Sequence, residues 1–98
     1  MASKIRVKSN SHRWVRKRSD IDIMANILNA ANKNTKKTRI MYRCNLSHSQ
    51  LQVYLKTLRQ MGLLTTHSKE GAKLNYFKTT SKGLKFLETY RALKSLMT

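Results

Sequence analysis

Negative charge is almost missing from this chain of 98 residues. Four acidic side chains, Asp20, Asp22, Glu70 and Glu88, stand against 21 lysines and arginines. The four acids are far apart in sequence and form no evident pair for acid–base chemistry, which needs tuned groups gathered in a cleft. Cysteine is equally scarce. Cys44 is alone, which excludes an internal disulfide. A lone thiol, in a chain whose opening MASKIRVKSN has no apolar signal stretch, fits a reducing cytoplasm. Three glycines leave no glycine-rich phosphate loop. No apolar run is long enough to predict a membrane-spanning helix. His12, His48 and His67, taken with Cys44, lack metal-ligand spacing. The chain reads as non-enzymatic, with no metal, no cofactor and no evident small-molecule ligand.

What the chain has is positive charge, a formal +17. Such an excess repels itself, so an anionic partner is expected. Nucleic acid is the usual one. A membrane surface is the alternative, and it would call for a basic amphipathic helix with a wide apolar face. The charge is uneven: residues 1–18 hold seven of the basic residues and no acid. They show no lasting hydrophobic period and read as a flexible basic arm. The length suits one domain.

Beyond the arm, the hydrophobic period is helical. Ser19 suits an N-cap, with Asp20 and Asp22 in the first turn, where carboxylates favour the helix dipole. Ile23, Met24, Ile27, Leu28 and Ala31 follow on one face, predicting a helix over about 20–32. Asn32 to Thr35 is a polar break. Ile40, Met41 and Cys44 mark a short helix over about 36–44. Asn45 can close it in the left-handed conformation, and Leu46 plugs the turn. Ser47 and Gln50 form a capping box for a third helix, about 48–61, which Gly62 ends. Leu51, Tyr54, Leu55, Leu58 and Met61 share one arc of it. Ser49, Gln52, Val53, Lys56 and Gln60 share the opposite arc. Residues 63–67 and 74–79 read as strands of a hairpin. Ser81 can cap a last helix over about 82–97.

The order helix, helix, tight turn, helix, hairpin, helix is that of a helix-turn-helix with a wing. The fold class is mainly α with a small β-hairpin (α+β). It divides into the arm at 1–18, a winged helix-turn-helix at 19–81 and a further C-terminal helix at 82–98. The segment from Lys37 to Ser47 (KTRIMYRCNLS) resembles the helix-turn-helix of small archaeal winged-helix DNA-binding proteins. Leu51 to Leu55, Met61-Gly62-Leu63 and Thr80-x-x-Gly83-x-x-Phe86-Leu87 are similar too, so the likeness covers roughly residues 19–98. Members of that family are homodimers that pair through a C-terminal helix and serve as chromatin proteins or transcription regulators. The resemblance therefore implies a dimeric protein of double-stranded DNA, in the cytoplasm and on the nucleoid. This chain differs from the family in a longer N-terminal arm and a shorter last helix.

In this architecture the third helix enters the major groove, where side chains must donate, accept or touch a thymine methyl. Ser49 and Gln52 can hydrogen-bond base edges, Val53 suits a methyl, and Lys56 suits guanine or phosphate. Lys36, Lys37, Thr38, Arg39, Arg43 and Ser47 are candidates for phosphate contacts, which set register without reading sequence. Lys69 and Lys73 mark the wing tip. Arg13, Arg16, Lys17 and Arg18 on the arm could enter a narrow minor groove. Trp14 among them fits packing on the domain's own core better. On the last helix Phe86, Tyr90, Leu93 and Met97 are spaced four, three, four, a coiled-coil seam that predicts a dimer interface. Its polar side carries Lys82, Lys85, Arg91 and Lys94, but the helix-turn-helix ahead of it argues against a membrane role. Two other readings stand beside duplex DNA. One is structured RNA, bound by shape and phosphate contact. The other is a protein–protein adaptor on the same scaffold.

Overall fold

The computed structural model describes residues 18–68 and 75–98. The chain runs α1 (Asp20–Ala30), β1 (Thr35–Lys36), α2 (Lys37–Cys44), α3 (His48–Gln60), β2 (Leu64–Ser68), β3 (Asn75–Thr79) and α4 (Ser81–Leu96). The helices start where capping chemistry permits. Ser19 accepts a hydrogen bond from the backbone N–H of Asp22, and the Asp22 carboxylate accepts in return from the N–H of Ser19. Aspartate thus closes a capping box that glutamate or glutamine usually closes. Ser47 and Gln50 do the same for α3.

The strands form one antiparallel sheet in the order β1-β3-β2. Leu64 pairs with Thr79 and Thr66 with Phe77, while β1 adds Thr35 opposite Phe77 on the far side of β3. The sheet is therefore wider than the expected hairpin. What read as a polar break before α2 is partly a strand. Its cause is Thr35, whose buried hydroxyl donates to the carbonyls of Ala30 and Lys33 and folds the chain back onto β3.

Ile27, Leu28, Ile40, Leu51 and Leu58 are fully buried and bring α1, α2 and α3 into one core. Phe77 closes it from the sheet and Leu87 from α4. Thr35 and Thr79 are the buried polar side chains among the described residues, and both are satisfied. Thr79 donates through Oγ1 to Leu28 O (2.6 Å) and through its N–H to Ala31 O (2.9 Å). Carbonyls that the end of α1 leaves unpaired are thereby taken up by the sheet.

Two details differ from the sequence expectation. The N-cap of α4 is Thr80, not Ser81: its hydroxyl accepts from Gly83 N and donates to Gly62 O (2.7 Å). That second bond ties the start of α4 to the end of α3. Met61, expected on the inner arc of α3, is exposed, because the helix ends at Gln60 and Gly62 turns away with φ of 76°.

Candidate nucleic-acid interface

The site begins with a turn. Asn45 adopts the left-handed conformation at φ 54°, ψ 53° and ends α2. Its N–H and that of Leu46 return to the carbonyls of Tyr42 and Met41, and the Leu46 side chain is buried beneath. Only Gly and the short polar residues tolerate this backbone without strain. The turn is clamped from outside. Arg18 Nη1 donates to Cys44 O at 2.6 Å, and Nη2 reaches Asn45 O at 3.3 Å. A cation on the last carbonyls of a helix also complements its dipole.

The Ser47 cap then launches α3. Leu51, Leu55 and Leu58 are buried on one side, and Ser49, Gln52, Val53 and Lys56 are all exposed on the other. Val53 is 64% exposed, an apolar side chain with no core function in this position. Tyr54, at the border, donates to Asp20 Oδ1 at 2.6 Å and pins α3 to the start of α1. That bond raises the Tyr54 pKa, with burial and the carboxylate charge acting in the same direction. Lys37 Nζ lies 2.9 Å from His48 Nε2. The ammonium can only donate, so the imidazole nitrogen accepts, and the beginnings of α2 and α3 are joined. Helix N-termini presented side by side with a lysine favour anions. Beyond the far end of α3, Lys56, Arg59 and Gln60 line a shallow groove against Leu64, Thr65 and Thr66 of β2.

A family model described as winged helix-turn-helix matches residues 17–98. The chain belongs to the winged helix-turn-helix family. Among solved structures it is similar to Sso10a-2, a DNA-binding protein from Sulfolobus solfataricus, with a TM-score of 0.74 and 21% identity over 82% of each chain. The PcaV transcriptional regulator from Streptomyces coelicolor gives 0.70 and 19%, over 76% of this chain and 57% of that one. A PadR family transcription regulator from Clostridium difficile gives 0.64 and 21%, over 76% of this chain and 93% of that one. At such identities the likeness is one of fold. No curated protein matches the chain. The expected winged helix-turn-helix is borne out, and an archaeal DNA-binding protein stands among its structural neighbours.

In the winged helix-turn-helix arrangement α3 is the second helix of the helix-turn-helix, and β2–β3 takes the place of the wing. The four candidate base-reading residues lie together on the outer arc of α3. Lys36, Thr38, Arg39 and Arg43 are exposed on β1 and α2. Lys37 is half-buried and engaged with His48, and Ser47 has its hydroxyl oxygen committed to the cap. Arg18 is placed on the helix-turn-helix turn, not on an open arm. Arg13, Arg16, Lys17, Lys69 and Lys73, with Trp14, lie outside the described residues. The seam on α4 is divided. Phe86 and Tyr90 are half-buried against the chain's own core, while Leu93 and Met97 are 51% and 61% exposed. Tyr90 donates to the Asp22 carboxylate, which also meets Lys94 Nζ at 3.5 Å. The free apolar surface of this helix is therefore Leu84, Leu93, Leu96 and Met97. Among the described residues no cluster of His, Cys, Asp and Glu could hold a metal ion. Two residues escaped the sequence reading: His48, which joins the starts of α2 and α3, and Tyr42, which stands apart from the outer arc of α3. Tyr42 was legible: it falls between Arg39 and Arg43 in the chain, on the exposed side of α2.

Proposed function

We infer that the protein binds double-stranded DNA as a dimer, with α3 in the major groove and the β2–β3 hairpin as wing. The observation that carries this reading is the outer arc of α3. Ser49, Gln52, Val53 and Lys56 are exposed together on a helix whose opposite face is locked into the core. The arc offers a hydrogen-bonding amide, an apolar contact and a cation, the three kinds of group that base edges accept. Net charge supports it, since +17 exceeds anything folding needs. So does the description of Sso10a-2 as a DNA-binding protein. Arg39, Arg43, Lys36, Lys37 and Thr38 serve the flanking phosphates, and Leu93 and Met97, with Leu96 beside them, pair the subunits. Its role on the nucleoid is that of a transcription regulator or a chromatin protein.

The test is anisotropy of a labelled duplex at one fixed salt concentration, with unlabelled RNA hairpins of equal length as competitor. Duplex DNA is expected to win, and Gln52→Ala combined with Lys56→Ala is expected to weaken it at least tenfold. A hairpin that competes better, or a double variant that binds as the parent does, overturns the reading. Sedimentation of Leu93→Asp tests the dimer, which is expected to fall to monomers. Genome-wide occupancy separates the two roles: sharp peaks belong to a regulator and broad coverage to a chromatin protein.

A further inference from the structure

The exposed side of α2 borders an open groove of about 1110 Å³ that no base-reading residue of α3 lines. It runs from the end of α1, past the loop into β1, and along α2 to Arg43. Its charged lining is Lys33, Lys36, Arg39 and Arg43, and not one carboxylate is among the lining residues. The described acids are placed elsewhere: Asp20 on Tyr54, Asp22 on Tyr90, and Glu88 beside Lys85 and Arg91 on α4.

Two aromatic rings accompany these cations. Tyr76 is half-buried on β3, with Lys36 Nζ 6.0 Å from its ring centroid. Tyr42 is 86% exposed, the most exposed of the large hydrophobic side chains described. It stands on α2, three residues after Arg39 and next to Arg43 in the chain, and all three line the groove. An exposed ring gains little from a phosphate, and a base-paired duplex keeps its base faces stacked inside. An unpaired strand offers both a chain of phosphates and open base faces. Cations tracking the backbone beside an aromatic stacking platform are how proteins hold single strands. The open shape of the groove likewise suits a polymer that passes through, where a small apolar ligand needs enclosure.

We propose that this groove is a binding site for unpaired nucleic acid, with Tyr42 stacking on a base and Lys33, Lys36, Arg39 and Arg43 holding the adjacent phosphates. Tyr76 forms the floor. The site does not depend on the recognition helix, although Lys36, Arg39 and Arg43 are shared with the duplex reading. DNA and RNA strands present the same phosphate and base chemistry here.

The experiment is anisotropy of labelled oligo(dT) and oligo(U) of about 12 nucleotides, a length within the usual single-strand site size, alongside a duplex probe at the same salt. Tyr42→Ala is expected to weaken the single strands about tenfold, the loss of one base stack, and to leave the duplex within twofold. Tyr42→Phe keeps the ring and is expected to bind single strands as the parent does. Oligo(dU), which shares its base with oligo(U), tells which sugar the groove prefers. Because Tyr42 contributes nothing to the core, its variants keep the parent's circular dichroism. Gln52→Ala with Lys56→Ala is expected to give the reverse pattern, with duplex binding lost and strand binding kept. A failure of duplex binding therefore leaves this site standing. The proposal is overturned if Tyr42→Ala binds single strands like the parent, if it weakens strand and duplex equally, or if Tyr42→Phe loses as much. It is overturned too if Tyr42→Ala alters only the sedimentation of the protein, which would make the face a protein contact.

Discussion

At the scale of single residues, the fold depends on side chains chosen for what they leave out. Gly83 sits in α4, where alanine would ordinarily be better by about 1 kcal/mol. A Cβ built there meets the Leu63 carbonyl oxygen at 2.3 Å and Thr79 Cγ2 at 2.5 Å. Neither can yield easily, since Leu63 O accepts from Thr80 N and Thr79 is buried. Overpacking of this kind costs roughly 1–3 kcal/mol and more where backbone must move. Gly83→Ala is therefore expected to lower the Tm despite its better helix propensity, and a thermal melt with unchanged or raised Tm would show the contact to be soft. Asp22 carries a different residue-scale prediction. Hydrogen bonds from Tyr90 and then Ser19 hold its pKa at about 2, against the opposing effect of burial and with help from Lys94. The same bond, with burial and the carboxylate charge, pushes Tyr90 up to about 12. A carboxylate depressed in the folded state stabilises above its unfolded value, roughly 3.9, and that contribution fades as pH falls toward about 2. A phenol raised in the folded state stabilises below its unfolded value, roughly 10, and that contribution fades as pH rises toward about 12. One contact is thus lost at both extremes. In urea melts the deficit of Asp22→Asn relative to the parent is expected to shrink between pH 4 and pH 2. A deficit that stays constant across that window would show that the charge of Asp22 does not carry its contacts with Tyr90 and Ser19.

At the scale of elements, the helix-turn-helix is as good as its cap. Ser47 supplies both its hydroxyl and its N–H to the box that starts α3. Ser47→Ala is expected to cost about 1 kcal/mol. Because the N-terminal turn of α3 carries Ser49, duplex affinity should fall along with stability. Ser47→Asp restores a cap acceptor and should recover the stability, while its negative charge keeps duplex affinity low. This element was legible in sequence because each of its signals is local. The Ser47–Gln50 box lies within one turn, Asn45 needs only its own backbone angles, and the leucines of α3 repeat at helical spacing. What sequence could not reveal is what depends on distant partners. β1 exists because Thr35 and Lys36 meet Phe77 and Tyr76, some forty positions on. Thr80 and Ser81 are both plausible caps, and the choice falls to Thr80 because Gly83 lets α4 approach Leu63. The seam on α4 had the spacing of a dimer interface, yet that spacing also fits a helix lying on its own domain. The structure assigns Phe86 and Tyr90 to the second use. Arg18 read as one more arm cation until the turn of α2 stood beside it.

At the scale of the molecule, the dominant quantity is charge, and its consequence is sensitivity to salt. Each phosphate neutralised by lysine or arginine releases counterions and adds about 0.9 to the slope of log affinity against log salt. On the proposed duplex, with arm, helix and wing counted together, about 6 phosphates per subunit give an expected loss on the order of a thousandfold between low and moderate salt. The arm enters this count in a way that can be isolated. The Arg18 guanidinium lies on the Cys44 and Asn45 carbonyls, at the turn that precedes the Ser47 cap of α3. Arg18 thus lies at the end of the molecule where the proposed duplex would run. Replacing Arg13, Arg16 and Lys17 together by serine should then reduce the slope by up to about 2.7, three contacts at about 0.9 each. Because these residues are offered as backbone contacts, the loss should be the same for every duplex sequence. Gln52→Ala differs in kind: a base-edge contact carries no counterions, so affinity should fall for the preferred sequence while the slope stays as it was. Measuring the slope at several salt concentrations for both variants separates the roles. A triple-serine variant with the parent's slope would remove the arm from the interface and leave α2, α3 and the wing to account for all of the binding.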